Sequence, residues 1–130
     1  MRTRYTIALS MLAGLAVGAI AIQGLHAQAP GPIYMITITE ISGASNAHAY
    51  ATEYLPSAQA SIKAHGGVEV AAGAGIALEG TLPQGAVSIV RWNSLEAQNA
   101  WKNSPENVAA RQIGIKYAKI NIIAVAGKEQ

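Results

Sequence analysis

IKAHGGVEVAAGAGIALEG, residues 62–80, can be read in two ways, and they lead to different folds. A phosphate-cradling loop would need the third glycine of a dinucleotide fingerprint or the GK[ST] ending of a nucleotide-binding loop, set between a strand and a helix. GAGIALEG has none of these. As a junction the stretch reads well. Gly66 is the natural left-handed residue just past a helix end, and Gly66-Gly67 together stop the helix. Val68 to Ala72 and Ile76 to Glu79 then form a strand, bent or bulged at Gly73 and Gly75. The glycines are architecture: they carry the chain from a helix into a sheet.

Upstream, Tyr50, Tyr54, Ala58 and Ile62 recur every four residues between Ala47 and His65, which predicts an amphipathic helix capped by Ser45 or Asn46. Pro56 either kinks it or separates two helices. Before it, Ile33 to Ile41 (IYMITITEI) is a β-branched strand with Ile33, Met35, Thr37, Thr39 and Ile41 on one face. Downstream, Gly80 to Gly85 with Pro83 is a turn, and Ala86 to Trp92 is a strand. A helix follows from Asn93 or Ser94 through Trp101, with Glu96 able to complete a capping box from Asn93. Ser104-Pro105-Glu106 restarts it as cap, first-turn proline and first-turn acid, running to about Lys116. AKINIIAVA, Ala118 to Ala126, is the last strand. The order is that of an α+β, ferredoxin-like βαββαβ fold: a four-stranded antiparallel sheet with helices on one face.

In this sheet both faces are greasy. Tyr34, Ile36 and Ile38 oppose the Met35 set, and Ile123 and Val125 oppose Ile120 and Ile122. An antiparallel sheet with one wet face should alternate cleanly between apolar and polar. The pattern therefore predicts a homodimer in which a second copy's sheet covers the free face.

The N-terminus has a separate purpose. Arg2 and Arg4 precede an uncharged apolar run from Ile7 to Ile22 and then QGLHAQAP, which reads as a secretory signal peptide over residues 1–27, with cleavage after Ala27. The run is longer than an ordinary signal core, so an uncleaved anchor is the alternative. Residues 28–130 then form one domain, periplasmic or secreted, with no membrane segment after cleavage. Loss of Arg2 and Arg4 leaves seven basic residues against seven acids, all glutamate. That balance excludes the phosphate-neutralising patch of a nucleic-acid binder. With no cysteine, thiolate nucleophiles, disulfides and thiolate metal sites are excluded too.

AHGG at 64–67, LEG at 78–80 with Pro83, RWNSLEA at 91–97, NSPE at 103–106 and Arg111, in this order, resemble the domain-of-unknown-function 1330 family over roughly Tyr34 to Gly127. That family resembles a branch of the dimeric α+β barrel superfamily, which includes cofactor-free monooxygenases, haem-degrading enzymes, lactone isomerases and proteins without known activity. The resemblance implies the ferredoxin-like dimer and is nearly silent on chemistry. Two departures stand out: Asn107 replaces the family's usual tyrosine after NSPE, and Ser42 to Ser45 lacks its aspartate.

Among candidate groups, His65 could be a proton acceptor or donor, or it could cap its own helix through the C-terminal carbonyls. Glu79 could pair with Arg91 or His65 as an acid or base, or form an ordinary ion pair. Arg91 and Arg111 could each hold a carboxylate in the cleft between sheet and helices. Tyr34, Tyr54, Trp92 and Trp101 either pack core and dimer contacts or line a pocket for a small apolar or anionic ligand. His48 and His65 do not make a metal-ligand pattern, and none of these roles calls for a metal or a cofactor. Three functions follow: an exported homodimeric binding or accessory protein, a cofactor-independent monooxygenase or isomerase with His65 as acid or base, or a purely structural association protein.

Overall fold

The computed structural model describes residues 31–82 and 85–128. The expected signal peptide at 1–27 and Pro83 of the expected turn lie outside the described residues. Strand β1 (Ile33–Ile41) leads into a helical stretch made of α1 (Ala44–Ala49), a π-helical turn (Tyr50–Tyr54) and α2 (Leu55–Ala64). Then come β2 (Val68–Gly73), β3 (Gly85–Trp92), α3 (Leu95–Lys102), α4 (Pro105–Gly114) and β4 (Ala118–Ala126). The sheet order is β2-β3-β1-β4 and every pairing is antiparallel.

The register sets two faces. Met35 lies opposite Val90 on β3 and Ala124 on β4, and Thr37 opposite Ser88 and Ile122. This set meets the helices in two apolar clusters. In one, Ile33, Met35, Val90 and Trp92 pack with Trp101. In the other, Tyr50, Tyr54 and Ala58 pack with Ala110 of α4. The opposite set includes the cross-strand neighbours Ile36, Ile89 and Ile123. Among the described residues no helix covers that face, and Ile123 and Val125 remain 54% and 50% exposed.

Several local expectations need correcting. The first helix begins at Ala44 after Gly43, without a side-chain cap, while Asn46 Nδ2 donates to the Ser42 carbonyl instead. Pro56 lies in the first turn of α2, which starts at Leu55, as the second alternative expects, but the stretch before it is a π turn that runs into α2 without a gap. Its missing N–H and its ring are accommodated by the wider π turn just before it, where the Leu55 N–H reaches back to the Tyr50 carbonyl. Strand β2 stops at Gly73, so Ile76 to Glu79 is not strand; Ile76 and Leu78 are 84% and 95% exposed. The β-bulge falls at Val70 between Glu69 and Ala71, not at Gly73 or Gly75. The cap of α3 is Ser94, whose Oγ accepts from the Ala97 N–H, so Asn93 and Glu96 form no capping box. Ser104 caps α4 in the same way, accepting from Asn107 N–H.

At the α2–β2 junction Gly66 adopts φ +89°, as its position past the helix end requires. Gly67 serves a different need. A Cβ there would lie 2.6 Å from Ile62 Cγ2 and 2.9 Å from the Trp92 ring, so only glycine lets the chain pass over the indole.

Candidate functional site

Two cavities open on the helix side of the sheet. The first, about 320 Å³, lies between the sheet and α2. Its apolar walls include Met35, Leu55, Ala58 and Ile62, and its polar groups include Thr37, Thr39, Ser88 and Glu69. Tyr50 and Tyr54 close one end, with ring centroids 4.7 Å apart and Tyr50 Oη 3.5 Å from Thr39 Oγ1. The Val70 bulge determines what β2 contributes. Glu69 sits opposite Val90 and Ala72 opposite Ser88, so both project to the helix side although three residues apart. The second cavity, about 480 Å³, lies between α3, α4 and β4, with Lys102, Arg111 and Gln98 around it. Trp101 and Ile122 line both cavities and form the wall between them.

Of the residues singled out from the sequence, Tyr54 and Trp101 line the first cavity, and Trp101 and Arg111 line the second. The rest go elsewhere. His65 is at the end of α2, its Nδ1 2.9 Å from the Ser61 carbonyl oxygen, which is helix-end capping geometry. Because a carbonyl only accepts, that contact fixes the proton on Nδ1. Glu79 sits in the exposed segment after β2 rather than at a strand end. Tyr34 and Arg91 are cross-strand partners on the face away from the helices, and Arg91 Nη1 donates to Asn93 Oδ1 at 3.1 Å. Trp92 is wholly buried, its ring 5.3 Å from that of Trp101. Trp101 Nε1–H donates to Ser61 Oγ, whereas the buried Trp92 Nε1–H has no partner among the described residues.

Thr37, Thr39, Ser88 and Glu69 were not among the sequence candidates. The two threonines carried a readable signal, being polar residues in the otherwise apolar inward set of β1. Glu69 carried none, because its face depends on the bulge. Among the described residues no three His, Cys, Asp or Glu side chains come together as a metal site.

Tyrosine electrostatics give a test of the first cavity's closed end. Burial, then the neighbouring Tyr50, push the Tyr54 phenol up to about 12, with Arg111 opposing. Burial also raises Tyr50, with its hydrogen bond to Thr39 opposing. Both folded values lie above the ordinary phenol value of 10.0. The folded state therefore holds these protons longer than the unfolded one. Their contribution is present in full below about pH 10 and is lost as the pH rises toward about 12. Denaturation across that window should show falling stability, and Tyr54→Phe should flatten part of the fall. An identical alkaline slope in the variant would contradict the burial of this phenol.

A ferredoxin-like α+β domain, with one apolar sheet face that no described helix covers and cavities under its helices, is the class these features define. The chain belongs to the family described as Domain of unknown function (DUF1330), which matches residues 32–128. No curated protein matches it in sequence. It is similar in structure to RPA0582 of Rhodopseudomonas palustris, a protein of unknown function, with TM-score 0.62 and 20% identity over 85% of this chain and 93% of that one. A dimeric protein of unknown function and ferredoxin-like fold from Bacteroides fragilis gives TM-score 0.55 and 13% identity, over 75% of this chain and 97% of its own. SnoaB, a cofactor-independent oxygenase from Streptomyces nogalater, gives 0.57 and 11%, over 77% and 96%.

Proposed function

We propose that the protein is an exported homodimer that binds a small, mainly apolar molecule between its sheet and α2. The observation that carries this reading is the first cavity itself. It is about 320 Å³, apolar along most of its wall, with a few polar groups converging from Thr37, Ser88 and Glu69. Dimerisation draws support from the apolar sheet face that no described helix covers and from the dimeric Bacteroides fragilis relative. Export draws support from Arg2, Arg4 and the apolar run that follows them.

Filling the cavity tests the binding reading. Ala72 lines it from an exposed position on β2, so Ala72→Phe should occupy the space without disturbing the core. Small molecules released from purified, denatured protein would be identified by mass spectrometry. The wild type is expected to release a defined compound in near-stoichiometric amount and Ala72→Phe to release about tenfold less. Equal release from both proteins, or none from the wild type, would refute the reading.

The second reading is a cofactor-independent monooxygenase or isomerase with His65 as acid or base, and it draws on the likeness to SnoaB. It has less support, because His65 Nδ1 is committed to the Ser61 carbonyl and the imidazole is outside the cavity lining. The carboxylate nearest the cavity is Glu69, not Glu79.

A further inference from the structure

We infer that the cleft between α3, α4 and β4 is a second binding site, separate from the cavity under α2, and that it takes an organic carboxylate with an apolar body. The charge is one-sided: Lys102 and Arg111 line this space of about 480 Å³, and among the described residues no glutamate does. Taken alone, those cations have a structural explanation. Each stands in the last turn of its helix, where a positive charge favours the helix dipole.

Gln98 is not explained that way. It is only 6% exposed and lines the cleft, yet its side-chain amide makes no hydrogen bond among the described residues. Asn107 offers the contrast on the same wall, since its Nδ2 already donates to the Lys102 carbonyl at 3.0 Å. An amide with no protein partner, lining the same space as a guanidinium and an ammonium, suits a carboxylate. The planar fork of Arg111 can bind both oxygens, while Gln98 and Lys102 supply further donors.

The other side of the cleft decides what the carboxylate is attached to. Trp101, Ile122 and Ala124 provide an apolar floor that a bare inorganic anion would leave unused. Two cations are also too few for a nucleic-acid backbone.

Phenylacetate is a suitable probe, with the neutral 2-phenylethanol as its isosteric control. Binding to the full chain can be followed through the indole N–H resonance of Trp101, with fully buried Trp92 as the internal reference. Phenylacetate is expected to shift the Trp101 signal saturably and to bind about tenfold more tightly than 2-phenylethanol. Arg111→Gln should weaken phenylacetate by about tenfold and Lys102→Gln by about threefold, each leaving 2-phenylethanol unchanged. Arg111 is half-buried, but Lys102 is exposed, so the second variant keeps the test open if the first misfolds. Absence of saturable phenylacetate binding, equal affinity for the alcohol, or an unaltered Lys102→Gln affinity would each overturn the inference. Because Ala72 lies outside this cleft, Ala72→Phe should leave phenylacetate binding intact.

Discussion

Ile36→Glu should turn the proposed dimer into folded monomers. Ile36 is at the centre of the uncovered face, directly opposite Ile89 on β3 and Ile123 on β4. Against a second sheet, a two-fold axis would bury one introduced carboxylate from each copy among aliphatic side chains, while Arg91, diagonal to it on β3, already donates to Asn93 Oδ1. An unpaired buried charge costs several kcal/mol, and about 3 kcal/mol weakens association more than a hundredfold. In a monomer the same glutamate faces water, so the fold should survive. Sedimentation velocity at micromolar concentration would read the change, with far-UV circular dichroism as the check on folding. A variant that sediments as a dimer like the wild type would show that this face is not the interface.

Trp92→Ala should have the largest effect on stability. The indole is fully buried and packs with Ile33, Met35, Val90 and Trp101 where the sheet meets the end of α2. Truncating a buried tryptophan costs about 3–5 kcal/mol, and for a domain of this size each kcal/mol lowers Tm by about 4–8 °C. Trp92→Phe separates packing from hydrogen bonding. It keeps a ring and deletes an N–H that has no partner among the described residues, so it should lose far less than the alanine variant. Urea denaturation would measure both. A loss below about 1 kcal/mol for Trp92→Ala would contradict this account of the core.

Regular elements were legible wherever local chemistry and tertiary structure agree. The ends of β1 and β4 follow from β-branched runs bounded by turn residues, and the start of α4 follows from the Ser104 cap and Pro105. Failures came where the outcome depends on a partner. Ile76 and Leu78 have strand chemistry, but β2 ends before them and they lie exposed. The Val70 bulge has no glycine to announce it, because it is defined by the register against β3. The candidate site suffered from the same blindness. Glu79 drew attention by its place before Gly80, while Glu69 reaches the cavity only because the bulge resets which side of β2 it is on. His65 was conspicuous as a helix-end histidine, and its ring contact is with its own helix.

The widened turn at Tyr50–Tyr54 has an evolutionary corollary. It accommodates one residue more than regular α-helix would over the same rise. Deleting a single codon there would restore ordinary winding and leave the flanking helices on their present faces, but the residues of the turn itself would be re-aimed. Tyr50 would swing away from Thr39 and the closed end of the cavity would be rebuilt, with the sheet untouched. Homologues differing by one position in this segment would therefore diverge in what they accept while keeping the same scaffold.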